Sequence, residues 1–223
     1  MSDQINADFS QFVVVQTNDM EWQQSPTPGI WRKRLELLGE VESGHVTSLV
    51  RFDPGAKFPD HPHPDGEEIL VLDGVFSDET GDYPAGSYVL NPEGTTHAPW
   101  SENGCTLFVK LQQYSGKDRP HVVIDTNNAE WQPGRMEGME FLPLYSDPET
   151  AKGITRLTRV PAGCDLGPDP HPGGEEVFVI EGCVEDEFGR HESGTWFRHP
   201  VGSEHNPTSP EGCLLYVKRE HLG

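Results

Sequence analysis

His61, His63, Glu67 and His97 are the residues whose types and spacing best equip this chain for chemistry. Two imidazoles two positions apart project from one face of an extended segment. Glu67 follows a turn-like Pro64-Asp65-Gly66 and can fold back beside them, while His97 stands at the end of a separate strand. Three imidazoles and a carboxylate converging in a small barrel suit a divalent transition metal. Such a set leaves up to two positions open on a six-coordinate ion.

A second group repeats the pattern at an offset of 108: Asp169, His171, Glu175 and His205. Asp169 stands where the first copy has His61. Two histidines and two carboxylates are a harder, more anionic donor set, which favours Mn or Fe more than the first set does and still admits Zn.

The framing residues sharpen this reading. In the first copy Gly55 is followed by five residues, His61-x-His63, three residues, Glu67, six residues and Gly74. Gly86 is followed by five residues, Pro92-x-Gly94, two residues and His97. The spacing resembles the two motifs of the cupin superfamily, with Ser101 in place of the final Asn. Within it, HPHPDGEEILVLDG and PEGTTH resemble the ChrR-type cupin domain, named for an anti-sigma factor. The second copy keeps the frame from Gly163 to Gly182 and from Gly194 to His205, with Ser209 again replacing Asn. The resemblance implies an all-β chain of two tandem cupin domains, jelly-roll β-barrels spanning 1–115 and 121–223. It implies metal ligands His61, His63, Glu67 and His97 in the first barrel and Asp169, His171, Glu175 and His205 in the second. The cofactor is then Zn, Fe, Mn or Ni, one ion per barrel at most.

The elements that must position these groups are short. Ungapped comparison of Gly55–Lys110 with the chain 108 residues later gives 23 identities in 56 positions, where average composition gives about 3 or 4 by chance. Upstream, VVVQTNDMEWQ (13–23) matches VVIDTNNAEWQ (122–132), so one residue has been gained or lost between Trp22 and Gly55. The stretch SGKDRP (115–120) reads as the linker. Runs such as HVTSLVRF, EEILVLDG, GSYVLNP and CTLFVKLQQY, with ITRLTRV, EEVFVIEG, GTWFRHP and CLLYVKRE as counterparts, have the length and β-branched or aromatic content of strands. Asp73-Gly74, between two apolar runs, predicts a hairpin or a sharp bend.

Other residues recur and take plainer expectations. Glu68 and Glu176 face away from the ligand side and are expected to be solvated or salt-bridged at a strand end. Trp22 and Trp131 are expected to pack on their barrels, and Arg51 and Arg159 to pair with acids. Cys105, Cys164, Cys183 and Cys213 contain no CxxC pair and are expected to be free thiols, mostly buried, with a redox-responsive thiol as the alternative for Cys105 and Cys213. His45, His121, His191, His199 and His221 are expected to be surface or strand residues.

Composition bounds the rest. Gly and Pro number 24 and 20 in 223 residues, a content that favours strands and tight turns over long helices. The net charge of −21 disfavours direct nucleic-acid binding and anionic membrane surfaces. The N-terminus lacks a signal-peptide pattern and no apolar run would span a bilayer, so a cytoplasmic location is expected. Two functions stay open. By its resemblance the chain is a small-molecule-responsive regulatory or sensor protein with a regulatory protein as partner, although the His-x-x-x-Cys-x-x-Cys pattern of the anti-sigma zinc domain does not occur in it. The alternative is a non-haem metal-dependent dioxygenase acting on a small diketone or hydroxyaryl ketone. A homodimer stays open, and no residue is assigned as a catalytic acid or base.

Overall fold

The structure of the protein, a computed structural model, describes residues 4–39, 44–116, 118–146 and 153–222. Of the linker at 115–120, Lys117 lies outside the described residues, as do the ends of the expected domains at 1–3 and 223. Nearly all regular structure is antiparallel strand; the one helical element among the described residues is the three-residue 3-10 turn Thr17–Asp19.

The chain forms two compact units, Met1–Ala7 with Glu21–Ala129, and Asp8–Met20 with Glu130–Gly223. In the first, the main sheet runs in the order Val122–Asp125, Ser87–Asn91, Glu67–Asp78, Cys105–Leu111, His45–Phe52, Ile30–Leu38, Gln23–Gln24. In the second, the equivalent order is Val13–Gln16, Thr195–His199, Glu175–Asp186, Cys213–Arg219, Ile154–Val160, Glu140–Tyr145, Gln132–Pro133. Each unit therefore takes its first edge strand from the other half of the sequence. Val123 pairs with Val89, and Val14 with Phe197. The duplicated TN-x-x-EW segments mark where the chain crosses between units.

The strand Glu67–Asp78 shows how the fold builds its site. Its first residues pair with Ser87–Asn91 on one side and Cys105–Leu111 on the other. At Gly74, φ is +74°, and a Cβ there would collide with the Gly104 carbonyl oxygen, so only glycine fits. Asp73-Gly74 is thus a bend and not a hairpin. Beyond it the strand leaves the main sheet and pairs with Gly81–Pro84. One strand thereby delivers Glu67 from its start and Asp78 from its end. Between them lies an apolar core of Ile30, Phe52, Ile69, Val71, Phe76 and Leu107, in which Phe52 and Phe76 meet edge to face at 5.9 Å. Gly182 repeats the bend in the second unit, with φ +71° and the Gly212 carbonyl oxygen occupying the space a Cβ would need.

Candidate metal centre and its counterpart

In the first unit the two-residue strands His61–Pro62 and Thr96–His97 pair with His61 opposite His97. His63 follows, and Gly66, at φ +78° with the Tyr114 carbonyl 2.6 Å from its would-be Cβ, turns the chain so that Glu67 enters the main sheet beneath them. His61, His63, Glu67 and His97 each offer a ligand atom within 4.8 Å of the others. Glu67 Oε2 is 3.3 Å from His63 Nε2 and 3.4 Å from His97 Nε2, close to the roughly 3 Å that separates adjacent donors on one first-row ion with bonds of about 2.1 Å.

The outer nitrogens fix which lone pairs point inward. His61 Nδ1 lies 3.0 Å from the Pro59 carbonyl, and His97 Nδ1 3.2 Å from Asp78 Oδ2. Both partners accept, so both Nδ1 atoms carry hydrogen. His63 Nδ1 lies 2.9 Å from Thr95 Oγ1, whose hydroxyl already donates to the Pro92 carbonyl at 2.8 Å. That leaves the Thr95 oxygen to accept from His63. In the neutral form all three rings thus present Nε2 as the inward lone pair, and the buried Nε2 atoms of His63 and His97 have no hydrogen-bond partner. Burial keeps His61 and His63 below the usual histidine pKa, against the pull of Glu67. Inward lone pairs, a buried carboxylate and orphaned ring nitrogens fit a divalent cation.

Asp78 is itself fixed. Burial alone would raise its pKa, but the hydrogen bonds from the Thr80 hydroxyl and amide and from His97 outweigh it and hold the carboxyl below its ordinary value. Asp186 repeats the arrangement in the second unit, accepting from His205 Nδ1 at 2.8 Å, His191 Nε2 at 3.0 Å and the Phe188 amide at 2.8 Å. Sequence reasoning missed this pair. The signal was available, since both aspartates follow the motif glutamate by eleven positions and are among the identities between halves.

The second unit also brings its four motif residues together, Asp169 opposite His205 and Glu175 at the head of its strand. The surroundings differ. Arg219, which stands where the first unit has Leu111, lies with Nη1 3.2 Å from Asp169 Oδ1, Nε 3.5 Å from Glu175 Oε1 and Nη2 3.1 Å from His171 Nδ1. His199, in place of Asn91, is on its strand as expected but fully buried, and joins His171 and His205 in a second ligand-capable cluster. Neither of its ring nitrogens has a hydrogen-bond partner. Burial, with His205 and His171 adding to it, lowers the His199 pKa to about 3; burial and His205 lower His171 to about 4. Burial raises Glu175 to about 7.

The two interiors differ most in open space. A cavity of about 370 Å³ reaches the first centre, walled by Phe52, Phe58, Phe76, Val109 and Leu111, with Arg32 beside His61. In the second unit the corresponding space is about 40 Å³, with Arg135 and Arg156 in its wall.

The remaining recurrent residues resolve simply. Of the expected solvated or salt-bridged carboxylates, neither Glu68 nor Glu176 is solvated: both are buried, and aromatic donors on the neighbouring strand reach them, Tyr88 Oη at 3.0 Å and Trp196 Nε1 at 2.7 Å, while Glu176 also lies within pairing distance of His221 Nε2 at 3.3 Å. Arg51 and Arg159 sit over the rings of Trp22 and Trp131 at 4.9 and 3.7 Å and beside Asp53 and Glu140. All four cysteines are free; Cys105, Cys183 and Cys213 are buried, and Cys164 is partly exposed. Ser101 and Ser209, at the position of the missing Asn, donate to the carbonyls of Val75 and Cys183. No helix among the described residues is long and apolar enough to cross a membrane.

Known proteins place this architecture. No curated protein matches the chain at significant similarity. Among solved structures, a candidate dioxygenase from Nostoc punctiforme superposes with a TM-score of 0.79 at 18% identity, over 96% of this chain and 85% of that one. The Escherichia coli protein YlbA gives 0.71 at 10% identity over 97% and 94%, and oxalate decarboxylase from Lactobacillus farciminis 0.66 at 13% over 93% and 86%. At these identities the likeness is one of fold. The sequence itself matches the ChrR cupin-like domain twice, over residues 10–115 and 119–223, and the chain therefore belongs to the ChrR cupin-like family as a tandem pair of cupin domains.

Proposed function

We propose that the first barrel is a metal-dependent dioxygenase-type centre for a small, largely apolar carbonyl compound such as a diketone or a hydroxyaryl ketone. The observation that carries this reading is the 370 Å³ cavity opening onto four convergent ligand atoms. His61, His63, Glu67 and His97 would hold the ion. When bound, a redox-active divalent ion with open positions supplies O₂ chemistry and polarises the substrate oxygens.

The chain's own residues select and orient the substrate. Phe52, Phe58, Phe76, Val109 and Leu111 form a wall that excludes water and favours an apolar body. Arg32, mostly buried and within 5.7 Å of the Phe58 ring, gives the pocket a cation near His61. An enolate or phenolate head is thereby drawn toward the ligand atoms. A two-carbon dianion would leave the aromatic wall unused, which separates this pocket from the substrate named for the oxalate decarboxylase relative.

The test is O₂ uptake by protein reconstituted with Fe(II), over a panel of β-diketones and hydroxyaryl ketones. Uptake that requires substrate and disappears in His63→Ala supports the reading. An iron-loaded protein that consumes no O₂ across the panel refutes it. The family's association with an anti-sigma factor favours a second reading, in which the same pocket senses its ligand. That reading requires a ligand-dependent complex with a regulatory protein, measured by co-purification.

A further inference from the structure

We infer that in the second barrel Arg219 is a built-in cation that takes the place of a metal, so that this barrel binds no ion. This inference is independent of what the first barrel binds.

Three observations converge on it. The first is charge. Relative to the first barrel, the second gains one carboxylate, with Asp169 replacing His61, and three guanidiniums, with Arg219 replacing Leu111, Arg156 replacing Ser48 and Arg135 replacing Pro26, and it loses one, with Phe141 in place of Arg32. Arg219 lies within 3.5 Å of both motif carboxylates and also donates to the Pro170 carbonyl at 2.6 Å. It already provides the neutralising charge that Asp169 and Glu175 need in a buried site. A divalent ion among the same oxygens would lie beside this fixed cation in a poorly solvated interior, where repulsion is weakly screened.

The second is the tautomer of His171. In the first barrel His63 Nδ1 donates to Thr95, which leaves Nε2 as the inward lone pair. In the second, His171 Nδ1 faces the Arg219 guanidinium at 3.1 Å. A guanidinium only donates, so Nδ1 accepts and the neutral ring carries its hydrogen on Nε2, the atom 3.5 Å from Glu175. That nitrogen is buried without a hydrogen-bond partner, like its counterparts in the first barrel, but it must shed its hydrogen before it can ligate. The third is space: about 40 Å³ remains where the first barrel has about 370 Å³.

Metal content by mass spectrometry after saturation with Mn(II) or Zn(II) and removal of free ion tests this. His63→Ala/His97→Ala disables the first centre, so the remaining load reports on the second barrel alone. We expect fewer than about 0.2 equivalents in that variant and about one when Arg219→Leu is added, because Asp169 and Glu175 then lose their counter-ion and His171 Nδ1 the donor that holds the hydrogen on Nε2. About one equivalent with Arg219 intact overturns the inference, whether the motif residues or the cluster with His199 hold it. So does a load that stays below 0.2 in a triple variant that retains the wild-type circular dichroism spectrum and a cooperative melt. If the triple variant does not fold, Arg219→Gln in the otherwise unaltered chain replaces it, and its load must exceed that of the wild type by about one equivalent. A wild type that binds no metal counts against the first-barrel reading and leaves the comparison between Arg219 and its variants intact.

Discussion

Removing the carboxylate behind His97 probes the proposed centre without touching His61, His63, Glu67 or His97. Asp78 accepts from His97 Nδ1 at 3.2 Å and is anchored by the Thr80 amide at 2.8 Å. In Asp78→Ala the imidazole loses the acceptor that holds Nε2 inward, and losses of about 10- to 100-fold in metal affinity are typical for such outer partners. The 3.2 Å separation is at the long end for an N–H···O bond, which places the expected effect near tenfold, about 1.4 kcal/mol. Asp78→Asn keeps an acceptor oxygen and should lose much less. Competition with a chromophoric chelator for Co(II) or Zn(II) measures both. The matching change in the second barrel, Asp186→Ala, should leave metal content unchanged but destabilise the protein by about 1–3 kcal/mol for each donor stranded on His191 and His205. A folded Asp78→Ala protein that binds metal within twofold of wild type would refute the argument that Asp78 orients a ligand.

Acid should weaken the metal-free protein through the second barrel. The His199 pKa, about 3 when folded, lies below the unfolded value of about 6.5, so below pH 6.5 the unfolded chain takes up a proton that the folded barrel refuses. Stability is therefore present above pH 6.5 and falls as pH drops, by about 3 kcal/mol at pH 4 from this group alone. Denaturant unfolding in chelator at pH 7 and pH 4 checks this: His199→Asn should shrink the difference by a similar amount, and a change under about 1 kcal/mol would contradict it. The thiols give a separate check. Burial raises Cys105 and Cys213 to about 11, so at pH 7.5 a thiolate-selective reagent should label Cys164 first and the other three only after unfolding. Fast labelling of Cys105 in native protein would restore the redox-responsive alternative.

The sequence alone was sufficient for the duplication, the strand content, the bend at Asp73-Gly74 as one of two options, and the convergence of His61, His63, Glu67 and His97. Those features are local or repeated. Spacing on an extended segment sets the face a side chain takes, and a glycine kept in both copies marks a turn that only glycine allows. The carboxylates behind the histidines were legible in principle, since Asp78 and Asp186 recur, but their role depends on a strand that changes sheets and brings its two ends to one centre. The burial of Glu68 and Glu176 was not legible, because alternation gives the face and not what covers it. The difference between the barrels was written in single substitutions, Leu111 against Arg219 and Asn91 against His199, that carry no motif. Strand pairing decides their meaning: Arg219 lies opposite Glu175 in register, and only that adjacency turns a charged residue near the end of the sequence into a cation inside a barrel. Motif spacing determines which donor groups can meet, and the tertiary structure decides what space and which charges surround them.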